Sequence, residues 1–110
     1  MEFKRVKIST TVSLEYVDKV RQAIGEAGGG KIGNYSFCSF SHRGQGRFLP
    51  NDDANPHIGK AGTLEVVEEE HIEVICERAV AKQVMAALRD AHPYEEVIAD
   101  ITPLLGEEEL

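Results

Sequence analysis

Two stretches of the sequence alternate apolar with polar residues, and a helical pattern follows each of them directly. Residues 3–12 carry β-branched side chains at alternate positions, which predicts a strand, and apolar residues recur every three or four positions across 14–27, which predicts a helix. The same succession returns in residues 63–77 and 79–91. Apolar residues thus change twice from the two-residue spacing of a strand to the three- or four-residue spacing of a helix. This pattern is typical of a sheet with helices packed on it.

Two further strands complete the predicted order. Residues 35–49 are rich in phenylalanine, and Gly44 and Gly46 within them indicate a bulge or tight bend. Residues 97–101 form the last predicted strand, which Pro103 should end. The order β-α-β-β-α-β predicts an α+β, ferredoxin-like fold, in which an antiparallel sheet has both helices on one face.

Residues at the ends of these elements support the same division. Ser13 offers an N-cap oxygen to the first helix, and the glycines at 28–30 should stop it. Pro93 disfavours helical geometry at His92, so the second helix should end just before it. Residues 50–62 form a loop that is long for a compact domain, and such loops are often functional or form interfaces.

Length and composition suit one domain over residues 1–110. A chain of 110 residues can bury a core without help from disulfides or metals. It has no run of 18 apolar residues, so we expect no membrane partner, and a sequence pI near 5.0 argues against a nucleic-acid partner. Cys38 and Cys76 lack Cys-x-x-Cys spacing, which predicts reduced thiols in a cytoplasmic protein.

Acidic residues are concentrated in the second part of the chain. The first 50 residues hold 8 basic and 4 acidic side chains, whereas the remaining 60 hold 4 basic and 15 acidic. Much of the acid lies in Glu68-Glu69-Glu70 and in an acidic tail from about residue 105. These runs are either solvated segments or a patch paired with Arg43 and Arg47 of a neighbouring strand or subunit. The residues 63–77 suit one long strand, which projects past the core where Glu68 and Glu70 face inward.

Two groups of polar side chains could bind a ligand. His92, Glu95 and Glu96 combine an imidazole with carboxylates, which together suit a divalent metal ion. Strand alternation points neighbouring side chains to opposite faces, so a plain junction between helix and strand is the alternative. Asn34 and Tyr35 would offer an amide and a phenol, or they only lead into a strand.

Cys38 could act as a nucleophile with a histidine base, although the sequence indicates no third group to orient that base. An inert buried thiol is the alternative. The histidines show neither His-x-His nor His-x-x-x-His spacing, so no local metal clamp is predicted. They are His42, His57, His71 and His92.

Several blocks of the sequence resemble one protein family. The blocks are residues 30–40 (GKIGNYSFCSF), 44–50 (GQGRFLP), 58–59 (IG) and 92–96 (HPYEE). From about Phe3 to Leu104 the chain resembles the NIF-three-like family, and more narrowly the domain inserted in the middle of its longer bacterial members. The HPYE block is also similar to the last strand of CutA-type proteins, which share a PII-like, trimer-forming fold.

The resemblance implies a free-standing version of that accessory domain. Full-length family members carry a dinuclear metal site in two flanking halves, built from histidines and acidic residues outside the inserted domain. We therefore expect this chain to have neither the dimetal site nor the cyclohydrolase-like activity sometimes attributed to the family.

Three functions are compatible with these observations. The first is a non-catalytic binding or regulatory module for a small metabolite or metal ion, which self-associates through sheet edges as a trimer or dimer. Its candidate ligand-binding residues are Asn34, Tyr35, Cys38, His92, Tyr94 and Glu95. It requires no cofactor, and a divalent metal is compatible with it.

The second function is a metal-dependent hydrolase with a site between subunits, in which His92 acts with Glu95 or Glu96 on a bound water. This site needs more ligands, and His42 or His57 of another chain could supply them. The third is a protein-interaction module that docks on a protein partner through its acidic half.

Overall fold

The computed structural model describes residues 2–110. Its strands are β1 (Arg5–Ser13), β2 (Phe40–Phe48), β3 (Glu65–Glu77) and β4 (Ala99–Leu104), and its α-helices are α1 (Val17–Glu26) and α2 (Ala81–Ala91). Single 3₁₀ turns at Leu14–Tyr16 and Arg78–Val80 lead into the two helices, and a third lies at Glu107–Glu109. Within residues 2–110, neither α-helix is long and apolar enough to cross a membrane.

The strands form one antiparallel sheet in the order β2-β3-β1-β4, and both helices pack on the same face of it. Every second residue of β1, from Val6 to Val12, is buried under the helices, as the alternation predicts. The largest fully buried side chains are Ile8, Val12, Val20, Ile24, Ile72, Cys76, Val84 and Leu88. The predicted ferredoxin-like α+β fold is confirmed.

β2 and β3 extend past the end of β1. Ser13, the last residue of β1, lies opposite Glu69, so residues 65–68 of β3 pair with β2 alone. We call the paired segments 45–48 and 65–68 the hairpin extension. This projection of the long third strand was predicted from the sequence, and it carries the candidate site.

The second strand differs from its prediction in two ways. It begins at Phe40 because the chain from Gly30 to Cys38 closes on itself through a bond from the Cys38 amide to the Gly30 carbonyl, 2.9 Å long. No bulge interrupts the pairing of β2 with β3, since the register is constant from one end to the other. Gly46 serves another purpose, because a Cβ there would collide with the carboxylate of Glu69.

Ser13 and Pro103 also differ from their predicted roles. The Ser13 side chain makes no capping bond, and the turn at Leu14–Tyr16 separates it from α1. Pro103 lies inside β4, opposite Val6, and does not end the strand. Because β4 is at the edge of the sheet, the missing N–H of Pro103 can face solvent without the loss of a ladder bond.

The three glutamates at 68–70 have different surroundings. The side chain of Glu70 faces the helices, is only 14% exposed, and forms ion pairs with Arg21 of α1 and Arg43 of β2. A solvated run is therefore the wrong interpretation for Glu70, and the predicted pairing with Arg43 occurs within the chain. Arg47 instead donates a 3.1 Å hydrogen bond to Gln45 Oε1.

Candidate ligand-binding site

A cavity of about 560 Å³ lies beside the hairpin extension. Alternation along the strands places its floor on the sheet face turned away from the helices. One wall is the loop 49–58, and the other is the segment 94–98 between α2 and β4. The apolar lining residues are Phe48, Leu49, Pro50, Ala54, Pro56, Ile58 and Ile98. The polar side chains among the lining residues include Thr11, His57, Glu69, Tyr94, Glu95 and Glu96.

His92 anchors the start of the second wall. It is the C-cap of α2, where Pro93 forces extended backbone (φ −79°, ψ 133°). Its Nε2 donates a 2.8 Å hydrogen bond to the Thr11 carbonyl, and its Nδ1 accepts one of 3.3 Å from the Tyr94 amide. Burial holds the pKa of His92 below its usual 6.5, so the imidazole is neutral and both ring nitrogens are occupied at neutral pH.

Tyr94 connects this wall to the floor of the cavity. Its hydroxyl donates a 2.7 Å hydrogen bond to Glu69 Oε2, and its ring packs edge-on against the His92 imidazole with ring centres 4.6 Å apart. Burial, together with the neighbouring Glu69 carboxylate, raises the pKa of the Tyr94 phenol above its ordinary value of 10.0. The phenol is therefore a protonated, oriented donor.

Glu69 lies on the floor, and its carboxylate occupies the space that Gly46 leaves on the adjacent strand. Tyr94 is its hydrogen-bond donor. Among residues 2–110, no Lys, Arg or His side chain forms an ion pair with Glu69. Glu69 thus brings a negative charge into a largely apolar cavity without a cationic partner.

The loop wall is held by two further contacts. His57 packs edge-on against Tyr16 with ring centres 5.2 Å apart, and its ring centre lies 6.3 Å from that of Tyr94. The backbone amide of Asn55 donates a 2.9 Å hydrogen bond to Glu95 Oε1. These contacts hold the long loop against Tyr16 and the segment 94–98. The sequence predicted this loop as a functional or interface-forming segment.

The structure places the predicted ligand-binding residues at three locations. Tyr94 and Glu95 line the cavity, as does Glu96 of the predicted metal set, and His92 lies behind the wall. Cys38 lines a separate small depression of about 260 Å³ beside Lys7 and Phe40.

Asn34 and Tyr35 belong to the first turn of the segment that precedes β2. Tyr35 is 75% exposed there, and Ile32 and Tyr35 bond to each other through their backbones. Over residues 2–110, the structure brings together no group of three or more His, Cys, Asp or Glu side chains that could hold a metal ion. The metal site at His92, Glu95 and Glu96 stays a prediction.

Glu69 and Gly46 are site residues that the sequence did not single out. Glu69 was hidden in a run of glutamates, and Gly46 suggested a bulge, because neither shows on its own that the other needs the space. His57, which the hydrolase hypothesis offers as a further ligand from another chain, lines the cavity of its own chain from the long loop.

Relatives of known sequence and structure match this chain over most of its length, although no family model matches it. A protein of Halalkalibacterium halodurans named GTP cyclohydrolase 1 type 2 homolog is 47% identical over 103 residues, which are 94% of this chain and 28% of that protein. A Bacillus cereus protein related to NIF3 has a solved structure that matches with a TM-score of 0.80 at 41% identity. Over most of its length, the chain is similar to one part of NIF3-related proteins. It covers 26% of the B. cereus protein, so it spans about a quarter of the length of these relatives.

The chain also shares its fold with CutA proteins. The structure of CutA1 from Shewanella sp. SIB1 matches with a TM-score of 0.69 over 96% of this chain and 86% of that one, at 15% identity. At this identity the match concerns the fold alone. Both resemblances that the sequence blocks at 30–40 and 92–96 predicted are confirmed.

Proposed function

We propose that this domain is a non-catalytic, self-associating module that binds a small molecule in the cavity beside the hairpin extension. The observation that carries the proposal is the cavity itself. Its volume of about 560 Å³ lies within the range of small-molecule sites, and its lining is mostly apolar with a few converging polar groups.

The contacts of His92, Tyr94 and Glu95 support a binding role for these three residues. A general base needs a free lone pair directed at the substrate. Both ring nitrogens of His92, on which the hydrolase alternative depends, are used by the backbone, and the Tyr94 hydroxyl donates its proton to Glu69. Glu95 accepts a hydrogen bond from the Asn55 amide, which ties the Glu95 carboxylate to the loop wall. These groups shape and orient the walls, which is what a binding site requires.

Exposed apolar side chains at two places support self-association. One set surrounds the hairpin extension and the other follows the edge strand β4, and large exposed apolar patches mark interaction surfaces. The two sets are Leu49, Leu64 and Val66, and Ile98, Ile101 and Leu105. Leu49 and Ile98 also line the cavity, so a second copy packed on either set would cover part of its opening.

The cysteines support a reducing compartment for this module. Cys38 and Cys76 are both free thiols, and the thiol of Cys76 is buried. We therefore propose that the module acts in the cytoplasm.

Binding is tested by amide NMR with three probes that share one apolar body: 4-phenylbutylamine, 4-phenylbutan-1-ol and 4-phenylbutanoate. Ala54→Trp places a large ring inside the cavity, and Ala86→Trp adds the same ring to the exposed surface of α2. We expect at least one probe to shift cavity amides in the wild type and in A86W, and to shift none in A54W. The absence of shifts with all three probes, or shifts that persist in A54W, would overturn the proposal.

Self-association is tested separately by sedimentation. We expect a dimer or trimer that Ile101→Lys, on the β4 edge, converts to monomer. Thr102→Lys adds the same charge to the opposite face of β4 and is the matched control. A wild-type chain that stays monomeric at high concentration would contradict this part of the proposal.

A further inference from the structure

The charges of the cavity are unbalanced, and this constrains what can bind there. Three lining residues carry carboxylates: Glu69, Glu95 and Glu96. Among residues 2–110, the one lining residue with a permanent positive charge is Arg47. Alternation along β2 puts the Arg47 side chain on the other face of the hairpin extension from Gly46 and Phe48. The Arg47 guanidinium donates a hydrogen bond to Gln45 there, and it forms no ion pair with Glu69.

The glutamates on either side of Glu69 have partners of a kind that Glu69 lacks. Glu70 forms ion pairs with Arg21 and Arg43. Glu68 accepts a 3.0 Å hydrogen bond from Gln45 on the face of the sheet opposite the cavity. Glu69 has only the Tyr94 hydroxyl. A carboxylate that is turned toward an apolar cavity without a cation gains most from a ligand that brings one.

The surroundings of Glu69 add a second feature that selects cations. The rings of Tyr94, His57 and Phe48 all line the same cavity, and Tyr16 supports His57 from behind. Aromatic faces attract ammonium groups through their quadrupole, and the attraction increases where water is excluded. A carboxylate beside several aromatic rings is a combination that recognises organic amines.

We infer that the cavity beside the hairpin extension takes an organic cation: an ammonium head that pairs with Glu69, on an apolar body that lies against Phe48, Pro56 and Ile98. This inference rests on the proposed function, because it names the ligand class of the same cavity. It deepens that proposal through Glu69, a residue that takes no part in any ion pair described above.

The three probes named above separate charge preference from binding as such. We expect 4-phenylbutylamine to bind at least about tenfold more tightly than 4-phenylbutan-1-ol, and 4-phenylbutanoate to bind most weakly. In Glu69→Gln the side-chain oxygen can still accept from Tyr94, but the charge is gone. The amine should lose its tenfold advantage in E69Q, whereas the affinity of the alcohol should stay unchanged, which shows that the cavity is intact.

Glu68→Gln is the control for the general attraction of cations to an acidic chain. It removes one charge from the other face of the same strand, so the amine should keep its advantage in E68Q. If the alcohol or the carboxylate binds as tightly as the amine in the wild type, or if E68Q and E69Q weaken the amine equally, the inference fails and the cavity proposal stands. If no probe binds, both fail.

Discussion

The two ends of the sheet are built for different tasks. Under the helices, β1 and β3 contribute alternate apolar residues such as Ile8 and Ile72 to a tightly buried core. At the hairpin extension, no helix covers the strands, and a cavity takes the place of a core. Buried apolar area stabilises the first end, whereas the second end keeps apolar area open to solvent. The comparison indicates that stability is concentrated in one half of the sheet and binding in the other.

The different stabilities of the two ends are tested most strongly when the same side-chain volume is removed from each of them. Leu88 of α2 is fully buried (0% exposed), so Leu88→Ala should lower the free energy of unfolding by about 2–5 kcal/mol. Ile98, which lines the cavity, is 66% exposed, and Ile98→Ala should cost less than about 1 kcal/mol. Urea unfolding of both variants measures the difference, and equal losses would show that the cavity end is as tightly packed as the core.

A second contrast sets the adjacent glutamates against each other. Glu70→Gln removes a largely buried charge that pairs with two arginines, so the free energy of unfolding should fall by about 1–2 kcal/mol. Glu69→Gln removes a charge without a cationic partner and keeps an acceptor for Tyr94, so stability should change by less than about 0.5 kcal/mol. The same urea measurement serves, and a larger loss in E69Q than in E70Q would contradict the different roles of the two residues.

The two glycines of β2 allow a matched pair of alanine substitutions, which should change the stability in opposite directions. A Cβ at Gly46 would meet the Glu69 carboxylate, so Gly46→Ala should displace that carboxylate from Tyr94 and cost about 1 kcal/mol. A Cβ at Gly44, two residues away on the same face, meets nothing within 4 Å, and Gly44→Ala should gain about 0.5 kcal/mol because alanine loses less entropy in a strand. Equal effects of the two substitutions would mean that Gly46 has no special relation to Glu69.

The smallest expected effect concerns the anchor of the cavity wall. Burial lowers the pKa of His92, so the unfolded chain binds a proton at a higher pH than the folded chain does. The contribution of His92 to stability is therefore complete above its unfolded pKa of about 6.5 and decreases as the pH falls below that value. His92→Gln should show a smaller loss of stability than the wild type when the pH is lowered from about 7.5 to about 5.5. An identical pH dependence in both proteins would show that the imidazole is not held neutral.

The fold could be predicted from the sequence because its signals are local. The alternation in β1 and β3, the stripes of α1 and α2 and the stop at Pro93 each report the environment of their own residues. The errors occurred where a local signal had two meanings. Pro103 marks either the end of a strand or a position on an edge strand, and only the sheet order distinguishes the two.

The candidate site was only partly predictable because its contacts join distant parts of the chain. The HPYE block and the long loop were both recognised as unusual, and they do form the two walls. The two walls are joined by the bond between Glu95 and the Asn55 amide, which lie 40 residues apart. The second wall is joined to the floor by the bond between Tyr94 and Glu69, which lie 25 residues apart. No periodicity records such pairs, so the third member of the cavity, the floor at Glu69 and Gly46, remained hidden.

The most direct test of the central claim is a crystal structure of the domain soaked with 4-phenylbutylamine. The ligand should lie beside the hairpin extension, with its nitrogen within hydrogen-bond distance of Glu69 and its ring against Phe48. The claim would be contradicted if the amine bound at the depression near Cys38 while the cavity beside Glu69 remained empty at the same amine concentration.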